Sequence, residues 1–214
     1  MTQKTIIPDL KAIAEGRGAT FSAGISRKWV DDAIGKPALK IQPTKQEFSV
    51  EDKWVVLLKD IAFTNGIIEF DALGQSDPPQ SNFLGIAFNA VDDRIHDAVY
   101  FRPFNFRADD PVRKAHAVQY VSHPAYPWFD LRRDKPGQYE QPIVLAPDGD
   151  AWFHARIVVK RPQVRVYVNT ANEPSLVIEA LSDRNDTGIG LWVGPGLGGC
   201  FANLTITQVE PEQA

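Results

Sequence analysis

The feature that most restricts this chain is a succession of short runs rich in Val, Ile, Phe and Tyr, most of them closed by Gly, Pro, Asn or Asp. They include "PALKIQ", "KWVVLLKD", "NGIIEFDAL", "NFLGIAFNA", "DAVYFRPF", "HAVQYVS", "AWFHARIVVK", "QVRVYVNT", "SLVIEA", "GIGLWV" and "CFANLTITQV". β-Branched and aromatic residues suit a pleated, half-buried surface, and regularly spaced turn residues fold such strands back on one another, so the pattern specifies an all-β sandwich or barrel. Helix is scarce. "IPDLKAIAEG" allows a turn or two near the N-terminus, and "DDPVRKAH" sets Asp before Pro, as at a helix start. The Pro-containing stretch from Ser122 to Pro142 reads as a long ordered loop, a kind of segment often tied to function.

Side chains alternate between the two faces of a strand, so each run also predicts which residues share a side. In "NGIIEFDAL", Ile68, Phe70 and Ala72 form the apolar side, and Ile67, Glu69 and Asp71 the other. In "NFLGIAFNA", Leu84, Ile86 and Phe88 face the core, which leaves Gly85, Ala87 and Asn89 as a face of small or polar groups open to a ligand. In "DAVYFRPF", Val99 and Phe101 point one way and Ala98, Tyr100 and Arg102 the other. The expected inter-sheet core contains Trp54, Phe70, Phe88, Phe101, Phe153, Val166 and Leu191.

A chain of 214 residues can bury one sizeable core, and it is read as a single domain over residues 1–214, with residues 1–20 as an N-terminal extension. The net charge of -4, with no long Lys/Arg face, argues against a nucleic-acid partner. No run of about 18 apolar residues marks a membrane span. "MTQKTIIPDLKAIAEG" lacks the apolar centre of a signal peptide, so the chain as written reads as soluble, with its compartment left open. The single cysteine, Cys200, cannot form an intrachain disulfide and reads as a buried strand thiol. The glycines of "GPGLGG" precede a strand rather than a helix and are no nucleotide fingerprint. Exposed edge strands, usual in open sandwiches, leave a homodimer open.

Several segments resemble a known superfamily. "WFHARIVVKRPQVRVYVNT" resembles the tryptophan, histidine and alternating strand pair of laminin-G-like and concanavalin A-like domains, and "TGIGLWVGPGLGGCFANLTI" resembles their last two strands. "NGIIEFDALG" with "NFLGIAFNAVDDRIHDAVYFRPF" is similar to the bacterial keto-disaccharide hydrolase-like branch of that superfamily. The resemblance runs from about Val50 to Val209. It implies a jelly-roll of two antiparallel sheets with few short helices and with ligands on the concave sheet or its rim loops. It also implies that His154, at the position of a strand histidine in those families, is structural.

Within that frame two groups are candidates for chemistry. Glu69 and Asp71 lie on one side of a strand about 7 Å apart, and their spacing resembles the start of the E-x-D-x-x-E motif of laminarinases. The next residues, Ala72 to Gln75, supply no third carboxylate where the acid/base would stand, which disfavours that chemistry. The larger group is Tyr100, Arg102, Asn105, Arg107, His116, Gln119, Tyr120, His123, Tyr126 and Trp128. Sugars offer hydroxyls to planar amide and guanidinium groups and C–H faces to aromatic rings, and this set holds both tools. Tyr100, Arg102, His116, Gln119 and Trp128 are expected to converge on one ligand-binding site, with Glu69 and Asp71 completing the donors of Arg102 if their strands are neighbours. Arg102 and Arg107 also suit an anionic sugar or carboxylate, while Arg107 is read first as pairing with Asp109, Asp110 or Asp130 to pin the loop. His116 and His123 are possible general bases, and His96 reads as an exposed turn residue. The aspartates of "VDDRIHD" and "PDGD" leave calcium open, although hairpin turns select Asp for backbone reasons alone. Zinc lacks ligands in this sequence. The expected activity is carbohydrate recognition on the concave face. The alternatives are a glycoside hydrolase or lyase acting on plain or keto-glycosides, and a structural or adhesive module.

Overall fold

The computed structural model describes residues 3–44, 54–76, 82–185 and 187–209; residues 50–53, where the superfamily resemblance begins, lie outside them. In chain order the elements are β1 (Gln3–Ile6), α1 (Leu10–Ala14), β2 (Ala19–Phe21), β3 (Ile25–Val30), β4 (Ala38–Pro43), β5 (Trp54–Phe63), β6 (Gly66–Leu73), β7 (Leu84–Ala90), β8 (His96–Phe101), a 3-10 turn (Pro103–Asn105), α2 (Pro111–Lys114), β9 (Val118–His123), α3 (Trp128–Asp134), β10 (Glu140–Gln141), β11 (Trp152–Lys160), β12 (Gln163–Val168), β13 (Leu176–Glu179), β14 (Thr187–Val193) and β15 (Gly199–Val209). The strands form two antiparallel sheets. One runs β13-β12-β11-β6-β15-β4-β3, and β1 also pairs with β15, making eight strands; the other has seven and runs β10-β9-β8-β7-β14-β5-β2. The fold is a jelly-roll sandwich. Along β15, β4 takes Gly199 to Phe201 and β1 takes Ile206 to Val209. Of residues 1–20, read from sequence as an extension, the described part is woven into both sheets: β1 pairs with β15, and β2, which runs on to Phe21, pairs with β5.

The inward sides follow the period-two pattern. Ile68, Phe70 and Ala72 of β6 meet Val99 and Phe101 of β8 and Leu84, Ile86 and Phe88 of β7 in one core, all with no exposed surface. Phe101 packs edge-on against Phe70, with ring centroids 6.3 Å apart, and against Phe153 of β11 at 5.1 Å. Such edge-to-face pairs set the negative face of one ring against the positive edge of another. Trp54, Val166 and Leu191 are buried in the same core.

The short helices begin as their sequences require. Asp9 caps α1 by accepting from the Ala12 N–H at 2.9 Å, and Asp110 caps α2 by accepting from the Val112 N–H at 2.8 Å, with Pro111 in the first turn. The stretch Ser122 to Pro142 is not wholly loop, because α3 and β10 fall inside it. Pro127 enters α3 in an extended conformation, Asp130 lies in its first turn and Arg132 and Arg133 in its last, an order of charge that suits the helix dipole. His96 also departs from its turn assignment. It opens β8, pairs across to His123 of β9 and is fully buried, with the two rings 5.2 Å apart.

Phe88 tests the orientation of β7. Phe88→Ala is expected to lower unfolding free energy by about 3–5 kcal/mol, the usual cost of deleting a large core aromatic, as measured by denaturant titration. A loss below about 1 kcal/mol would place Phe88 on the wrong side of its strand.

Candidate functional site

Because Phe101 faces the core, its neighbour Tyr100 faces outward, and strand register carries that choice across the seven-stranded sheet. Trp192 of β14 opposes Gly85 of β7, Gly85 opposes Tyr100 of β8, Tyr100 opposes Gln119 of β9, and Gln119 opposes Glu140 of β10. Directly opposed residues share a face. Trp192, Tyr100, Gln119 and Glu140 thus form one row on the outer side of the sheet. Gly85 is the gap in the row that lets its neighbours meet: a Cβ there would lie 2.1 Å from the Val99 carbonyl oxygen and 2.7 Å from Tyr100 Cβ. Across it the rings of Tyr100 and Trp192 stack, with centroids 4.6 Å apart and planes 25° from parallel.

Polar contacts bind the row together. The Tyr100 hydroxyl donates to Gln119 Oε1 at 2.9 Å. Arg102, which follows β8, donates from Nη2 to the Tyr100 hydroxyl (2.8 Å) and to Gln119 Oε1 (2.5 Å), and from Nη1 to the His116 carbonyl (2.8 Å). Its guanidinium carbon also lies 4.8 Å from the Tyr100 ring centroid and 5.6 Å from that of Phe83, at cation–π range. At the end of the row Glu140 is buried and receives both Nε and Nη2 of Arg132, at 2.8 and 2.7 Å, while His116 Nδ1 lies 2.9 Å from Glu140 Oε2. Arg132 in turn lies 4.7 Å from the Trp128 ring centroid. The row is buried at its centre and reaches partial exposure at His116, Trp128 and Arg132.

Tyr100, Arg102, His116, Gln119 and Trp128 are therefore brought to one side of one sheet, linked through Glu140 and Arg132. Glu69 and Asp71 are not with them. β6 neighbours β11 and β15, β8 neighbours β7 and β9, and each pair points out of its own sheet, so the sandwich separates the carboxylates from Arg102. On that opposite side Asp71 has its own partners: Lys36 Nζ and Asn203 Nδ2 donate to Oδ2 at 2.8 and 2.7 Å, and His154 Nδ1 lies 2.8 Å from Oδ1. Asn203 reaches it from the register shift in β15, with φ near 50°. Burial pushes the Asp71 pKa upward, but the hydrogen bonds from Lys36, His154 and Asn203 outweigh it and hold the carboxyl below its ordinary range. His154 Nε2 lies 3.6 Å from Glu69 Oε1.

The remaining members of the sequence group scatter. Tyr120 points into the core against Phe88, and its hydroxyl accepts from the Leu181 N–H. Asn105 accepts from Arg113 Nε at 3.3 Å. Arg107 is exposed and binds the Ala146 carbonyl at 3.1 Å and Asp148 at 3.6 Å, not Asp109, Asp110 or Asp130. His123 joins His96, and Tyr126 is an exposed residue of the turn that pairs back to Ser122. Of the aspartates that left calcium open, Asp92 accepts from the N–H groups of Arg94 and Ile95 and Asp150 from that of Ser76, while the buried Asp97 pairs with Arg184 and accepts from Asn89 and Ser182. Among the described residues no three His, Cys, Asp or Glu side chains gather as metal ligands.

Two members of the row, Glu140 and Trp192, and the Arg132 that binds Glu140 lie outside the group that the sequence predicts. Trp192 was within reach, since strand alternation places it opposite the core residue Leu191. Glu140 carried no such signal, because a two-residue strand has no period.

The electrostatics of the row make His116 a probe. Burial is the main influence and lowers its pKa; Glu140 opposes this, and Arg132 and Arg102 reinforce it, leaving the net value below that of an ordinary histidine. The unfolded chain therefore takes up a proton at this residue first, so the associated stability is present above about pH 6.5 and is lost as pH falls through the folded-state value. His116→Gln is expected to lose less stability than the wild type between pH 7 and pH 5 in parallel denaturant titrations; superimposable pH profiles would contradict it.

No protein-family model matches the chain, and no curated protein matches it in sequence. Solved structures do match. A Bacillus subtilis protein of unknown function with a galectin-like fold aligns over 95% of this chain and 94% of its own length, with TM-score 0.60 and 10% identity. The exoplasmic/lumenal domain of VIP36, solved in a form bound to Ca2+ and Man3GlcNAc, aligns over 93% of this chain and 86% of its own, with TM-score 0.53 and 11% identity. At such identities the likeness is one of fold. The protein has a two-sheet jelly-roll sandwich of the concanavalin A-like fold.

Proposed function

We propose that the protein binds a carbohydrate on the outer side of its seven-stranded sheet, at the end of the row where Trp128, His116 and Arg132 emerge from burial. The observation that carries this reading is the in-register row itself, Trp192–Tyr100–Gln119–Glu140, which fixes ring faces, an amide and a carboxylate on one rigid sheet. A sugar ring stacks its C–H face on Trp128 and turns its hydroxyls toward Arg132, His116 and Glu140. The contacts of Arg132 and His116 with the strand residue Glu140, and of Arg132 with the Trp128 ring, hold these groups in place before binding, so little conformational entropy is lost when the ligand arrives. The sandwich shared with the VIP36 domain, whose solved form holds Man3GlcNAc, supports a sugar as the ligand class.

Binding is favoured over glycoside cleavage by the carboxylate count. The row supplies Glu140, already engaged by Arg132 and His116, whereas retaining and inverting hydrolysis each call for two carboxyl groups flanking the bond. Glu69 and Asp71 are on the opposite side of the sandwich. The keto-disaccharide hydrolase-like branch suggested by the sequence is a reading of the same kind, tested by incubation with plain and 3-keto glycosides and analysis for cleaved products; release of a monosaccharide would replace binding by catalysis.

A glycan array followed by calorimetry on its best ligand tests the main reading. Trp128→Ala and His116→Ala are each expected to weaken that ligand about 10-fold or more, roughly 1.4 kcal/mol, while leaving thermal unfolding cooperative. Retained affinity in both variants would move the site elsewhere.

A further inference from the structure

We infer that the saccharide taken by this face is acidic and carries a carboxylate, as in a uronic acid; this rests on the binding reading above and narrows it. Arg102 is 6% exposed, and its hydrogen-bond partners are all neutral: the His116 carbonyl, the Tyr100 hydroxyl and Gln119 Oε1. Among the described residues no carboxylate lies in ion-pair contact with it. The nearest acid of the row, Glu140, is matched by Arg132. With His116 neutral at pH 7, the row of Arg102, Arg132 and Glu140 therefore carries one positive charge in excess. An unpaired buried cation is costly, and an incoming anion relieves that cost.

Two buried groups of the row left without a hydrogen-bond partner have the same polarity. Gln119 Oε1 must be the atom facing Arg102, because a guanidinium only donates, and this turns Nε2 away, buried and without a hydrogen-bond partner. Trp192 Nε1 is likewise buried without one, and an indole nitrogen can only donate. The row thus holds spare donors and a spare positive charge. Neutral sugars offer hydroxyls that both donate and accept; a carboxylate only accepts, and it is matched in charge. The partly exposed end of the row lies at His116, whose own carbonyl is bonded to Arg102, so a carboxylate seated against His116 and Arg132 is close to the uncompensated guanidinium.

The test measures calorimetric affinity for glucuronate and galacturonate oligosaccharides and for the same oligosaccharides with their carboxyls reduced to alcohols. The uronates are expected to bind about 10- to 100-fold more tightly than the reduced forms, the usual weight of a charge-assisted hydrogen bond, with an affinity that falls as NaCl is added. In Arg102→Met the ratio of uronate to reduced affinity is expected to approach one; should that variant fail to fold, Arg132→Met is measured in its place. Equal binding of both sets by the wild type, or an unchanged ratio in the folded variant, would overturn the acidic ligand while leaving carbohydrate binding intact. Binding of neutral array glycans alone would do the same. Absence of binding to every saccharide, acidic or neutral, would overturn both.

Discussion

The packing of Phe101 against Phe70 and Phe153 across the two sheets decides the direction of everything near the candidate site. An edge-to-face aromatic cluster with no exposed surface cannot be turned outward without losing several kcal/mol of burial, so β8 has one permitted orientation. With Phe101 inside, Tyr100 must be outside, and a one-residue slip would exchange them. Antiparallel register then fixes Gly85 and Trp192 on one flank and Gln119 and Glu140 on the other. The polar row is thus a consequence of an apolar contact that none of its members makes.

How far the sequence reveals this depends on the range of each interaction. Alternation is local, and it correctly separated Phe70 from Glu69, Phe88 from Ala87 and Phe101 from Tyr100. It says which side of a strand a residue occupies but not which sheet the strand joins. That is why Glu69 and Asp71 appeared to be candidate partners for Arg102: both groups do point outward, but from different sheets. Sheet membership here is set by pairings such as β6 with β15, more than a hundred residues apart, and no short-range pattern encodes them.

Other gaps have equally local causes. Glu140 lies in a two-residue strand whose assignment depends on Gln119, across the segment that contains α3. The sequence of α3, "WFDLRRD", opens with two aromatic residues that favour strand, and its helical form draws on the charge order from Asp130 to Arg133, including their 2.8 Å ion pair. His96 follows a run of turn-forming residues, and only its pairing with His123 draws it into β8 and out of solvent.

The two outer sides of the sandwich resolve the same electrostatic problem differently. On the eight-stranded sheet Asp71 collects Lys36, His154 and Asn203, three groups for one carboxylate, and the net effect stabilises its ionised form. Charge and hydrogen bonding are both completed there by the chain itself. On the seven-stranded sheet, burial lowers the pKa of Arg102, its direct partners are uncharged, and donors on Gln119 and Trp192 are left over. A protein interior ordinarily tolerates few such groups, because each forfeits hydration without replacement. A side that completes its own contacts is suited to holding a fold together, whereas one that keeps a buried cation and spare donors beside a rigid sheet is the arrangement from which an acceptor outside the chain is proposed.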